Sequence, residues 1–203
     1  MAGGDKGTGE EFMKLKKSKS ALLMVDVQLD FCPGRSLAVK DGNEVVKPLN
    51  DFQAKVSLVV ATRDWHPWAT SHFKKDGGVW PVHCVKYTPG AEFHPDLHTG
   101  KAEIFSKGMG PEENAYSGFD GKNADGVSLE DFLKSNGITT VFIGGLATDY
   151  CVKATALDAL KKGFKVIVLT DAIRAANISK NDDKKAIKEM SDAGVIFMNS
   201  DSI

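Results

Sequence analysis

The sequence predicts an α/β protein of three layers, α/β/α, around a mainly parallel central sheet. Several short stretches are almost wholly apolar rather than alternating apolar with polar, which suits strands buried on both faces. They alternate with segments whose apolar residues recur at helical spacing, and that alternation calls for a parallel sheet covered on each side. At 203 residues the chain is long enough for one domain with a full core.

Residues 1–20 are polar, with Gly3 and Gly4 early and Lys14, Lys16, Lys17 and Lys19 late. No apolar run follows those charges, so this stretch reads as a flexible polar tail rather than a secretory signal. Residues 21–203 read as a single domain. Ala21 to Val25 is an apolar strand that stops at Asp26. After a turn at Cys32-Pro33-Gly34, a helix spans Asn43 to Lys55 with Val45, Val46, Leu49 and Phe52 on one face. Pro48 implies a late start or an irregular first turn in that helix. Ser57 to Thr62 is the second strand.

Residues 63–100 break the rhythm. They hold all five histidines, all three tryptophans and four of the seven prolines, and a loop of this length is expected to be functional. Glu103 to Lys107 is a short strand, and residues 120–126 are a polar excursion. Ser128 caps a helix with Leu129, Phe132 and Leu133 inward, stopped by Gly137. Thr139 to Ile143 is a strand, Gly144-Gly145 a turn, and a helix opens near Cys151 and runs to Lys162. Lys165 to Thr170 is a strand. Asp182 to Ala193 is amphipathic, with Ala186, Ile187 and Met190 apolar, and Val195 to Met198 closes the sheet.

Composition removes several function classes. Lys and Arg total 26 against 27 Asp and Glu, so no global charge draws the chain to nucleic acid or an acidic membrane. No window is long and apolar enough for a membrane span. Three cysteines without a C-x-x-C pair argue against a disulfide framework, and the cytoplasm is the expected compartment. There is no glycine-rich phosphate loop, since Gly108-Met109-Gly110 follows neither fingerprint.

In a parallel sheet the site lies at the carboxyl ends of the strands, and Asp26, Asp64, Lys107 and the turn before Cys151 all fall there. A cysteine in the first turn of a helix has its thiol pKa lowered by the dipole and the unpaired N–H groups; otherwise Cys151 is an inert core residue. Asp64 and His66, with His83 arriving after a return, supply one carboxylate and two imidazoles, a set that suits zinc, iron or manganese. The alternative is ordinary loop histidines. Asp26 is either a general base for Cys151 or a turn residue, and Lys107 either its cationic partner or a solvated lysine. Phe31, Leu37, Trp80, Tyr116 and Tyr150 could be core, or together the walls of a slot for a flat apolar ring.

With these residues in view the chain resembles the isochorismatase-like cysteine hydrolases, and within them the nicotinamidases, from about Ala21 to Met198. The matching motifs are Val25-Asp26-Val27-Gln28-Leu29-Asp30-Phe31, Asp64-Trp65-His66-Pro67, Trp80-Pro81-Val82-His83-Cys84-Val85, Phe105-Ser106-Lys107-Gly108 with Ala115-Tyr116-Ser117-Gly118-Phe119, and Gly144-Gly145-Leu146-Ala147-Thr148-Asp149-Tyr150-Cys151-Val152. The resemblance implies a Rossmann-like topology, a triad of Asp26, Lys107 and Cys151, and metal ligands at Asp64, His66 and His83. His72 matches a histidine that only some members use and stays open. It also implies an oxyanion hole from the Ala147 and Cys151 amides, with a cis peptide between Leu146 and Ala147. The implied reaction converts nicotinamide to nicotinate and ammonia through a thioester, in NAD salvage, with Phe31 and Trp80 sandwiching the ring. The implied cofactor is a divalent metal, zinc first and iron or manganese as alternatives; the partner is the small-molecule substrate, with room for a homo-oligomer. Arg35 and residues 109–114 depart from the family pattern where they shape the substrate loops. Two rivals remain: a metal-free member acting on isochorismate, a ureido acid or a carbamoyl amine, and a binding domain whose site has decayed.

Overall fold

The computed structural model describes residue 17 and residues 19–203, so most of the expected polar tail lies outside the described residues. Six strands form one sheet: β1 (Ser20–Val25), β2 (Leu58–Asp64), β3 (Glu103–Lys107), β4 (Thr140–Leu146), β5 (Lys165–Arg174) and β6 (Ile196–Met198). Their order is β3-β2-β1-β4-β5-β6, and every pairing is parallel, so the sheet is wholly rather than mainly parallel. This is the doubly wound order, whose direction reverses between β1 and β4. Val25 pairs with both Thr62 and Gly145, and Asp64 pairs with Lys107, which brings the carboxyl ends of β1, β2, β3 and β4 level.

Successive residues of β1 serve opposite faces. Leu22 and Met24 pack with Leu49, Phe52 and Phe142 in one core; Ala21, Leu23 and Val25 pack with Val60, Phe105, Leu133 and Val168 in the other. Among the described residues four helices cover these faces: α1 (Val46–Phe52), α2 (Leu129–Ser135), α3 (Lys153–Lys161) and α4 (Asp182–Asp192). The expected helix over residues 43–55 is α1 between two 3-10 turns, with Pro48 in its first turn, where a missing N–H costs nothing. Ser128 caps α2 by accepting from Asp131 N at 3.1 Å. In α4 the buried stripe is Ala186 and Met190, one turn apart, while Ile187 faces solvent instead of the core.

Gly144 and Gly145 are not a turn, because β4 runs through both to Leu146. A Cβ on Gly144 would come within 2.9 Å of Ala172 and Leu49, and one on Gly145, at φ +128°, within 2.0 Å of Val25 O. These glycines admit close neighbours rather than reverse the chain. After Ala147 the backbone makes a π-turn over Thr148–Val152 before α3 begins. The 63–100 segment is well packed: His66, His72, Phe73, His83 and Cys84 are buried, and His66 bridges to Val85 while Phe73 bridges to Trp80. Among the described residues no helix is long and apolar enough to cross a membrane.

Candidate active site

Three strand ends and one turn converge on Lys107. Its side chain is wholly buried, with Nζ 3.0 Å from Asp26 Oδ2 and in closer contact with Asp64 Oδ1. The same ammonium donates to Ala115 O at 3.1 Å and reaches Cys151 Sγ at 3.6 Å. Thr62 Oγ1 donates to Asp26 Oδ1 at 2.6 Å. Asp26 Oδ2 pairs with Lys107 by charge but off hydrogen-bond alignment, and it is left without a hydrogen-bond partner. Polar atoms of Asp26, Asp64 and Cys151 lie within 4.8 Å of one another.

This crowding sets the protonation states. Burial lowers the Lys107 pKa, but Asp26 and Asp64 outweigh it and hold the ammonium well above its ordinary range. Burial pushes Asp26 up, with Lys107 opposing and Asp64 adding to the rise. Asp64 feels the same burial, yet Lys107, His66 and His83 hold it well below the usual carboxylate range. The expectation of a depressed Cys151 thiol is corrected. Burial raises it well above its ordinary value; Lys107 opposes this, and Asp26 and Asp64 reinforce it. Cys151 therefore rests as a thiol beside a carboxylate able to take its proton.

Beside the triad stand the three buried imidazoles of His66, His72 and His83, with ring nitrogens within 4.8 Å of one another. His66 Nδ1 donates to Gly108 O at 3.0 Å and His83 Nδ1 to Pro81 O at 2.8 Å; carbonyl acceptors require a proton on each Nδ1 and leave each Nε2 lone pair free. His72 Nδ1 bonds Asn114 Oδ1 at 2.7 Å in the same manner. Burial depresses the pKa of His72 and takes that of His83 to about 4, so both rings are neutral near neutral pH. His66 Nε2 is buried with no partner, and Asp64 Oδ2 stands 3.7 Å from it and 3.8 Å from His83 Nε2. Those gaps are too long for hydrogen bonds and suit a cation shared between the donors. Imidazoles whose Nδ1 is tied to a carbonyl, set beside one ionised carboxylate, are the donor chemistry a divalent transition metal takes.

Above both groups opens a cleft. All five residues expected to wall a flat ring line it: Phe31, Leu37, Trp80, Tyr116 and Tyr150, with Asp64, His72, His83 and Cys151 alongside. Trp80 meets Tyr150 edge-on at 4.9 Å and donates its indole N–H to Tyr116 OH at 2.8 Å. The Leu146–Ala147 peptide is cis, as the resemblance implies.

A family model described as the isochorismatase domain matches residues 20–202. The chain belongs to the isochorismatase family. Within this family it is 42% identical to the nicotinamidase of Escherichia coli, over 86% of this chain and 92% of that protein. Its fold is similar to the crystal structure of the pyrazinamidase of Pyrococcus horikoshii in complex with zinc, at 45% identity and a TM-score of 0.81, covering 89% of this chain and 99% of that one. It is similar also to L. infantum PnC1 in complex with nicotinate, at 36% identity and a TM-score of 0.84, covering 92% and 95%.

Several residues of this site escape a reading of the sequence. Gln28 is fully buried and clamps the Asp64 backbone from both sides, donating to Asp64 O and accepting from Asp64 N, each at 2.8 Å. Thr62, Asn114 and Ala176 are likewise drawn in from distant positions. Gln28 alone carried a signal, because it stands in the first motif, two residues after Asp26.

Proposed function

We propose that this protein is a metal-dependent nicotinamidase, hydrolysing nicotinamide to nicotinate and ammonia in NAD salvage, with Cys151 as nucleophile, Asp26 as acid and base, and Lys107 as their fixed cation. The observation that carries this reading is the meeting of Asp26, Lys107 and Cys151 beneath a ring-sized aromatic cleft, beside imidazoles with free Nε2 lone pairs. The likeness to the E. coli nicotinamidase and to the nicotinate-bound L. infantum protein supports the substrate.

The pyridine ring lies between Phe31 and Trp80 with its carboxamide over Cys151. Asp26 Oδ2 takes the thiol proton, and the sulfur attacks the carboxamide carbon. The amides of Ala147 and Cys151 receive the oxyanion. Asp26 passes its proton to the amide nitrogen, the C–N bond breaks, ammonia leaves, and a thioester remains. Water then gives a proton to Asp26 and adds at the thioester carbon; the C–S bond breaks, the sulfur regains the proton from Asp26, and nicotinic acid departs and loses its proton to solvent as nicotinate. Lys107 stays charged throughout, offsetting first the Asp26 carboxylate and then the developing thiolate.

Asp64, His66 and His83 would hold a divalent ion, with His72 close enough to His66 and His83 to add a fourth donor, and zinc is the proposed metal on the strength of the zinc-bound P. horikoshii relative. Bound there, the ion supplies a Lewis-acid contact for the ring nitrogen and so orients the substrate. A cytoplasmic location belongs to the same proposal, supported by three cysteines that stand free of disulfides. An ammonia-release assay over nicotinamide, pyrazine carboxamide, a ureido acid and a carbamoyl amine tests the reading. Turnover of the aromatic amides with retained metal is expected; turnover of the ureido or carbamoyl substrate alone overturns it.

A further inference from the structure

Two residues before Cys151, within the same π-turn, Asp149 is buried, and the mechanism above assigns it no task. Its two oxygens accept backbone N–H groups from the segment leaving β5: Ala176 N donates to Oδ1 and Asn177 N to Oδ2, both at 2.8 Å. Among the described residues these are all the hydrogen bonds it makes, and no cation offsets its burial. A buried carboxyl group is costly unless donors meet its oxygens, and here both donors come from adjacent residues of one loop. That loop lies between the end of β5 at Arg174 and the start of α4 at Asp182, and Asn177 stands in the left-handed region at φ 49°. Asn177 Oδ1 in turn accepts from Asp183 N at 2.9 Å, which carries the tie into α4.

On its other side the loop meets the cleft, where Ala176 lines the wall together with Leu37, Tyr150 and Cys151. Asp149 thus pegs one wall of the ring slot directly to the turn that carries the nucleophile. We propose that Asp149 is a positioning residue that fixes Ala176 against the slot, and that this peg sets how large a ring substituent the site accepts; the inference rests on the proposed hydrolysis of nicotinamide. The ligands it excludes are pyridine carboxamides carrying a substituent on the edge that faces Ala176. Asparagine cannot replace the aspartate here, because its amide offers one acceptor and would turn an NH2 toward the second backbone N–H.

The test compares wild-type holoenzyme with Asp149→Asn and Ala176→Gly, by steady-state kinetics on nicotinamide and ring-methylated nicotinamides and by hydrogen exchange of residues 174–183. Asp149→Asn is expected to raise KM for nicotinamide by about tenfold, with kcat within about twofold and faster exchange confined to that segment. Ala176→Gly, which leaves both hydrogen bonds in place, is expected to shift kcat/KM toward the methylated amides by about tenfold. Unchanged exchange in Asp149→Asn, a loss in kcat with KM unmoved, or an unchanged preference in Ala176→Gly overturns the peg. If Asp149→Asn does not fold, the Ala176→Gly preference decides. A wild-type enzyme inert toward nicotinamide defeats the function proposed above, and the exchange measurement then decides the peg by itself.

Discussion

Thr62 Oγ1 donates to Asp26 Oδ1 at 2.6 Å, so one oxygen of that carboxylate is occupied while Oδ2 remains free to take a proton. Burial raises the Asp26 pKa, and the Thr62 hydroxyl is one of the groups that hold it down. As the base, Asp26 must be ionised, so kcat/KM is lost as pH falls through its pKa. The acid limb is expected above the ordinary carboxylate range. Thr62→Val removes a group that favours the ionised form, so the limb should move to higher pH while the plateau rate changes less. A pH profile of kcat/KM for both proteins checks this; a limb that stays in place or moves down contradicts Asp26 as the base.

Replacing Cys151 with alanine should reduce ammonia release by about 10⁴-fold or more, with metal content and thermal stability retained. Because burial holds the thiol well above its ordinary pKa, alkylation of the resting wild-type enzyme should be slow near neutrality and accelerate as pH rises. Slow labelling therefore does not indicate a decayed site. Mass spectrometry of iodoacetamide adducts across pH, set beside the turnover assay, measures both. Fast labelling at neutral pH would mean that the local field favours the thiolate.

Much of this was legible in the sequence, and the reasons for the remainder are local. The buried strands announce themselves because β1 is covered on both faces with Ser20 as its one polar residue, and Val166 to Leu169 of β5 form an unbroken apolar, buried run. The Asp64, His66 and His83 set is legible because the chain has only five histidines, and Asp64 and His66 stand at the carboxyl end of β2. Gly144 and Gly145 mislead because glycine serves turns and close approach alike, and only the neighbours Val25 and Ala172 decide between them. The thiol of Cys151 misleads similarly: the helix start is visible in the sequence, the depth of burial and two nearby carboxylates are not. Thr62 and Asp149 act on groups 36 and 27 residues away, so no spacing rule finds them.

Metal binding separates the histidines. His66→Ala removes a fully buried ring whose Nε2 faces Asp64, and metal and activity should be lost together. If His72 is a fourth ligand, its tautomer depends on Asn114, and Asn114→Ala should weaken metal affinity by roughly 10–100-fold. Zinc titration against a competing chelator reads both variants. Affinity unchanged in Asn114→Ala assigns His72 to the pocket wall alone.

Lys107→Met tests the centre of the arrangement. The ammonium is the cation between Asp26 and Asp64, and without it the buried Asp26 carboxylate keeps Asp64 as a neighbour and loses its cation. Removing one partner of a buried charge cluster costs about 3–5 kcal/mol, so urea denaturation should show a loss of that order. The surviving strain is relieved by protonating a carboxylate, which takes away the base, so activity should fall even under conditions where the variant remains folded. Stability therefore should recover as pH is lowered, since protonation removes the repulsion, while activity should not. A variant that keeps near-normal turnover at neutral pH would show that Lys107 serves the core rather than the chemistry.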